Sequence, residues 1–121
     1  MEDSQIGSLI ISLLTGLGMY VAGLILKKKP PGMINSIYGY RTKRSVKNQL
    51  LWDEANKYSA QIMMRYGLVY ALIGSILSVL FEGRYTSLVI FGMILIPITL
   101  LIIKTEKRLK ELDTEIEKRL Y

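Results

Sequence analysis

The sequence predicts an all-α integral membrane fold: a three-helix bundle with an interfacial helix in the first loop and a cytoplasmic C-terminal helix. Three observations lead there. Half of the 121 residues are hydrophobic and the mean hydropathy is positive, which is too apolar for an ordinary soluble domain of this size. Charge is excluded from three long stretches. Apart from Glu2 and Asp3, the 16 Lys and Arg and 10 Asp and Glu crowd between and after those stretches, as expected when hydrocarbon rejects charge and inner-face loops collect it. The formal charge of +6 therefore follows from membrane topology rather than from nucleic-acid binding. The whole chain, 1–121, is expected to form a single membrane domain.

The first span is Ile6 to Leu26, 21 residues without a charge. As a helix it is roughly 31 Å long, close to a hydrocarbon thickness of about 30 Å. It starts behind Glu2 and Asp3 without a basic leader, so it is expected to be a retained span rather than a signal peptide. It stops at Lys27-Lys28-Lys29 and Pro30-Pro31-Gly32. The second span covers about 62–81, provided that Arg65 snorkels back to the headgroups. The third, about 85–103, follows after only Glu82-Gly83-Arg84, so these two form a tight antiparallel hairpin. Pro97 removes a backbone donor for the carbonyl of Met93, and a kink is expected there, with Thr99 as a polar helper.

Orientation follows from the basic residues. The loop 27–61 and the start of the second span carry Lys27, Lys28, Lys29, Arg41, Lys43, Arg44, Lys47, Lys57 and Arg65. The tail 104–121 carries six more, and the outer turn only Arg84. The positive-inside rule places the N-terminus outside and both the loop and the C-terminus in the cytoplasm. The tail reads as a charged helix continuing from the third span, with Leu109, Leu112, Ile116 and Leu120 on one face and Glu106 spaced to pair with Lys110. Within the loop, Ser45 to Ala60 has a helical pattern with Val46, Leu50, Ala55, Tyr58 and Ile62 near one face and Ser45 as N-cap. Trp52 and Tyr58 favour the headgroup zone, so this segment is expected to lie in the interface before bending into the second span.

Several chemistries are excluded. Without cysteine or histidine there are no disulfides, thiolates, imidazole bases or usual zinc sets, and no catalytic residue, metal site or cofactor is expected. Apart from Arg65 at a span edge the spans hold no Asp, Glu, Lys, Arg or His, which argues against a pump or coupled transporter. Ser8, Ser12 and Gly16, and in the second span Gly67, Ala71 and Ser75, form small-residue rows. Their plain role is helix packing inside the bundle, and the alternative is a homo-oligomer seam.

The informative stretch is the loop. Asn35, Tyr38, Gly39, Tyr40, Arg41, Thr42, Ser45, Asn48, Trp52 and Asn56 are the candidate binding residues. Gly39 permits positive φ, while Arg41 and Thr42 offer a fork of donors and a hydroxyl. Arg41, Arg44 and a helix N-terminus near Ser45 suit an anion such as a phosphate or carboxylate. The plainer account is that Arg41 ties down the loop and that Asn48, Trp52 and Asn56 pack the interfacial helix.

The run Asn35, Tyr38-Gly39-Tyr40-Arg41-Thr42, Ser45, Asn48, Trp52, Ala55-Asn56 resembles the signature of the SdpI-type immunity family of small bacterial membrane proteins. The resemblance covers roughly 29–61 by motif and the rest by arrangement. Some members have proline after Arg-Thr where this chain has Lys43. The resemblance implies protection of a producer cell against a membrane-active toxin peptide, and in one member recruitment of a cytoplasmic repressor. Membrane lipids, a toxin peptide and a repressor are then the candidate partners, without direct nucleic-acid contact. Two readings compete with it. One is a phosphate-headgroup lipid enzyme or carrier using Arg41, Lys43 and Arg44, with only Asp53 and Glu54 nearby as acid or base. The other is a small oligomeric channel.

Overall fold

The computed structural model describes residues 1–120, which form four helices and, within that range, no strand. Helix α1 is Asp3–Lys28, α2 is Gln49–Leu80, α3 is Thr86–Gly92 and α4 is Leu95–Leu120. Three helical stretches are long and apolar enough to cross a membrane: α1, α2 and the combined run of α3 and α4. Three helical stretches of the expected length and apolarity are therefore present. Tyr121, included in the expected tail helix, lies outside the described residues.

Helices α1 and α2 pack against each other with almost nothing between them. A Cβ added to Gly16 would lie 2.6 Å from the Cβ of Ala71, and one added to Gly67 would lie 2.6 Å from the carbonyl oxygen of Gly16. Only hydrogen fits at these crossings. Toward the hairpin end, Ser12 Oγ is 3.3 Å from Ser78 Oγ, and Ser8 Oγ is 2.9 Å from Ser87 Oγ. Three of them also bond a carbonyl one turn back, Ser8 to Ser4, Ser12 to Ser8 and Ser78 to Gly74, and Ser87 has the Ser8 hydroxyl, so no hydroxyl among them is stranded. The small-residue rows thus close the bundle on itself. On α2 the row runs through Gly67, Ala71, Gly74 and Ser78. Ser75, expected in it, is only half-buried and bonds back to Ala71.

Four local expectations are corrected. The interfacial helix does not bend into the second span: one continuous helix of 32 residues contains both, since no proline or glycine pair interrupts 49–66. Its N-cap is Asn48, whose Oδ1 accepts from Leu51 N at 2.9 Å, not Ser45. Its packing face holds Leu51, Trp52, Ala55 and Asn56, whereas Leu50 is exposed. Glu106 pairs with Arg44 rather than with Lys110.

The third span is interrupted, as Pro97 suggested, but the irregularity falls at Met93 and Ile94, one turn earlier. Proline has no N–H for the carbonyl of Met93. That oxygen instead accepts from Ile96 N at 3.1 Å, a tighter turn that satisfies it. Beyond the break α4 runs unbroken from apolar span to charged tail, as expected.

Candidate functional site

The loop between α1 and α2 is assembled from short-range turns and then fastened to two helices. It begins with an Asx turn: Asn35 Oδ1 accepts from Ile37 N at 3.0 Å and Tyr38 N at 2.8 Å. The turn delivers Tyr38 to the end of α1, where its hydroxyl donates to the carbonyl of Lys29 at 2.7 Å. One of the orphan carbonyls at that helix end is thereby satisfied.

Gly39 follows with φ +116°, a conformation strained for any L side chain. The space is also closed, because a Cβ there would lie 2.6 Å from Asn56 Oδ1 and 3.2 Å from the Trp52 ring. The chain can therefore press its backbone against α2. Tyr40 N donates to Asn56 Oδ1 at 2.7 Å, and Asn56 Nδ2 donates to the carbonyl of Trp52 at 2.8 Å. Asn56 is almost wholly buried, and both halves of its amide are engaged. Trp52 is also fully buried, with its indole N–H on the carbonyl of Pro31 at 3.3 Å. The expected interfacial placement of Trp52 is thus corrected. The loop covers the ring, and its polar edge finds a protein carbonyl instead of water.

Thr42 and Ser45 form a second reciprocal turn. Ser45 Oγ accepts from Thr42 N at 2.7 Å, while Ser45 N donates to Thr42 Oγ1 at 3.2 Å. Ser45 is completely buried.

The far wall is α4. Tyr40 packs on the buried cluster of Leu51, Ala55 and Leu109, with Leu112 beside it. Its hydroxyl lies 3.3 Å from Glu106 Oε1 as donor. Burial first, and then the Glu106 carboxylate, hold the Tyr40 phenol well above the usual tyrosine value, so it stays protonated. Around this apolar centre are four ion pairs: Arg44 with Glu106 at 3.3 Å, Lys47 with Asp113 at 2.9 Å and Glu117 at 3.5 Å, and Arg108 with Glu54 at 3.1 Å. Sequence reasoning missed these acidic partners, although Glu106, Asp113 and Glu117, spaced by seven and four residues, share one helix face.

Nine of the ten candidate residues thus serve the loop's own architecture: Asn35, Tyr38, Gly39, Tyr40, Thr42, Ser45, Asn48, Trp52 and Asn56. Arg41 differs. It is exposed, donates one bond at 2.5 Å to the carbonyl of Ser36, and has no carboxylate partner among the described residues. Arg44 is neutralised by Glu106, and α2 begins only at Gln49. The imagined convergence of both arginines with a helix start near Ser45 is therefore not formed. Asp53, the candidate base of an enzymatic reading, accepts from Gln49 Nε2 at 2.8 Å. The same loop leaves Met33 and Ile37 81% and 92% exposed.

The family model described as the SdpI/YfhL protein family matches residues 33–104, which include the whole loop signature. The chain is 46% identical over 94 residues to the uncharacterized protein YfhL of Bacillus subtilis (strain 168), covering 76% of this chain and 79% of that protein. No solved structure matches.

Proposed function

Since the chain belongs to the SdpI/YfhL family of bacterial membrane immunity-type proteins, we propose that it protects its host against a membrane-active toxin peptide and signals through the basic loop. The family is not one of known enzymes. In this reading the N-terminus is outside and both the loop and the C-terminus are cytoplasmic, following the basic residues on each side of the spans. The short outer turn and the spans meet the toxin. The inner loop meets a cytoplasmic regulator.

One observation carries the proposal: the loop signature is spent on a rigid plate, and Arg41, bonded to the Ser36 carbonyl and paired with no carboxylate among the described residues, is its exposed cation. A tether alone does not need a buried Asn56, a positive-φ Gly39 and a buried Ser45 to hold its shape. A recognition surface does, because preorganisation reduces the ordering cost of binding. Arg41 is then the charged anchor, and the exposed Ile37 and Met33 of the same loop supply apolar contacts.

The test is survival of a toxin-sensitive bacterial host expressing the wild type or Arg41→Ala and challenged with membrane-active peptides from related producers. Wild-type protection that is lost in Arg41→Ala at equal membrane level supports the proposal. Equal protection by both removes Arg41 from the site. Protection by neither, with normal insertion, removes the immunity reading.

A further inference from the structure

Away from the loop, an apolar groove of about 330 Å³ lies between α2 and the broken third span. Tyr66, Val69 and Ile73 form one wall, and Met93, Pro97 and Leu100 the other. The groove exists because the third span barely packs. Only 6% of its most apolar stretch is buried within the protein, against 22% for α1 and 33% for α2. Its lining offers little to a polar guest, since the Tyr70 hydroxyl already donates to the carbonyl of Ile90. From Tyr66 to Ile73 the α2 wall runs roughly 10 Å along the helix axis, at about 1.5 Å per residue.

The mouth of the groove toward the basic end is different in kind. Lys104, one turn beyond Leu100, places its ammonium 5.3 Å from the centroid of the Tyr66 ring. Arg65 is exposed and adjoins Tyr66 in the chain. The Lys104 ammonium is held above the ordinary lysine value chiefly by the Tyr66 phenol. Neither has a carboxylate partner among the described residues, whereas Arg44, Lys47 and Arg108 all do. Neighbouring like charges at a span edge favour an anion between them.

An apolar slot with Lys104 over Tyr66 at one end, and Arg65 next to Tyr66 in the chain, has the chemistry of an acyl chain ending in an anionic headgroup. We propose that the groove binds one anionic phospholipid of the surrounding bilayer, with an acyl chain along Val69, Ile73 and Leu100 and the phosphate between Arg65 and Lys104. The site is separate from the loop plate and does not depend on the immunity reading. A second copy of the chain fits less well. Its spans carry no carboxylate, and Glu106, the acidic residue of α4 nearest that level, is already paired.

The test is native mass spectrometry of the full chain released from vesicles of equal phosphatidylglycerol and phosphatidylcholine content. The wild type is expected to retain one phosphatidylglycerol per chain, in about tenfold preference over phosphatidylcholine. The Arg65→Gln/Lys104→Gln double variant loses the preference. Val69→Trp, which fills the slot, loses retention of both lipids. Arg84→Gln at the opposite end changes nothing, and circular dichroism checks that each variant is helical. Equal retention of the two lipids by the wild type, a preference that survives the double glutamine change, or a lipid-free dimer in place of a lipid-bound chain would each overturn the proposal.

Discussion

Helix α2 meets the rest of the molecule in two ways. Against α1 its contact is made mainly by removing atoms: Gly16, Gly67 and Gly74 leave no room for a methyl group, and the serines beside them, which meet across the seam at Ser12 and Ser78, also bond back within their own helices. Against the loop and α4 the contact is made by adding polar partners: Asn56, Tyr40 and Ser45 inside, ion pairs outside. The contrast follows from the two environments. In hydrocarbon the hydrophobic effect does not drive helices together, so close approach and dispersion must do so. Where the helix enters the aqueous zone, burial of Leu51, Ala55 and Leu109 gains free energy from water, and hydrogen bonds then select one arrangement.

The largest effect is expected at the seam. Gly16→Leu drives a side chain into Ala71 and the Gly67 carbonyl, both backbone-fixed on a rigid helix. It should cost about 3 kcal/mol, read as a fall in the thermal midpoint in detergent. Gly18→Leu, at a position with open space around it, should leave that midpoint nearly unchanged. If both behave alike, the seam does not hold the bundle.

Next is the polar lock. Asn56→Ala strands the Tyr40 N–H, and Gly39→Ala combines positive φ with a Cβ at 2.6 Å from Asn56 Oδ1. Each should cost about 2 kcal/mol, and each should speed amide exchange around Tyr40 while leaving α1 protected. Exchange that rises equally in both regions would show that the two form one cooperative unit.

A smaller effect is expected from the phenol. Because the folded pKa of Tyr40 is raised, by burial first and Glu106 second, the protonated form is the one that folding favours. That contribution is complete below the ordinary tyrosine value of about 10 and declines as pH rises from there toward the higher folded value. Thermal midpoints should therefore fall more steeply above about pH 10 in the wild type than in Tyr40→Phe. Parallel curves would leave Tyr40 unlinked to folding.

The smallest effect belongs to the rim. Lys47→Gln removes an exposed ammonium from Asp113 and Glu117 and should lower the thermal midpoint only slightly at low salt and not at all at high salt. A large fall that salt does not reduce would move the ion pairs from rim to centre.

These two regions were unequally legible in the sequence. The seam was readable, because small residues three and four apart on a span have few other uses, and only Ser75 was misplaced. The loop was readable as a place and a list of residues, yet not as a structure. Trp52 looked interfacial by residue type, but its burial depends on a loop folding back over it from residues 31–40. Ser45 looked like a helix cap, yet it caps an isolated turn with Thr42, and the helix waits three residues for Asn48.

What the sequence determined alone was whatever the solvent dictates locally: three spans by length and charge exclusion, their small-residue faces, the basic end, and a signature that names the family. What only the tertiary structure decided was pairing at a distance. Asn56 had to receive Tyr40, Glu106 had to choose Arg44 over Lys110, and the third span had to break before Pro97 and leave a groove. Solvent sorts residues by type, which composition and period record. A partner far along the chain is selected by geometry, which no local pattern contains.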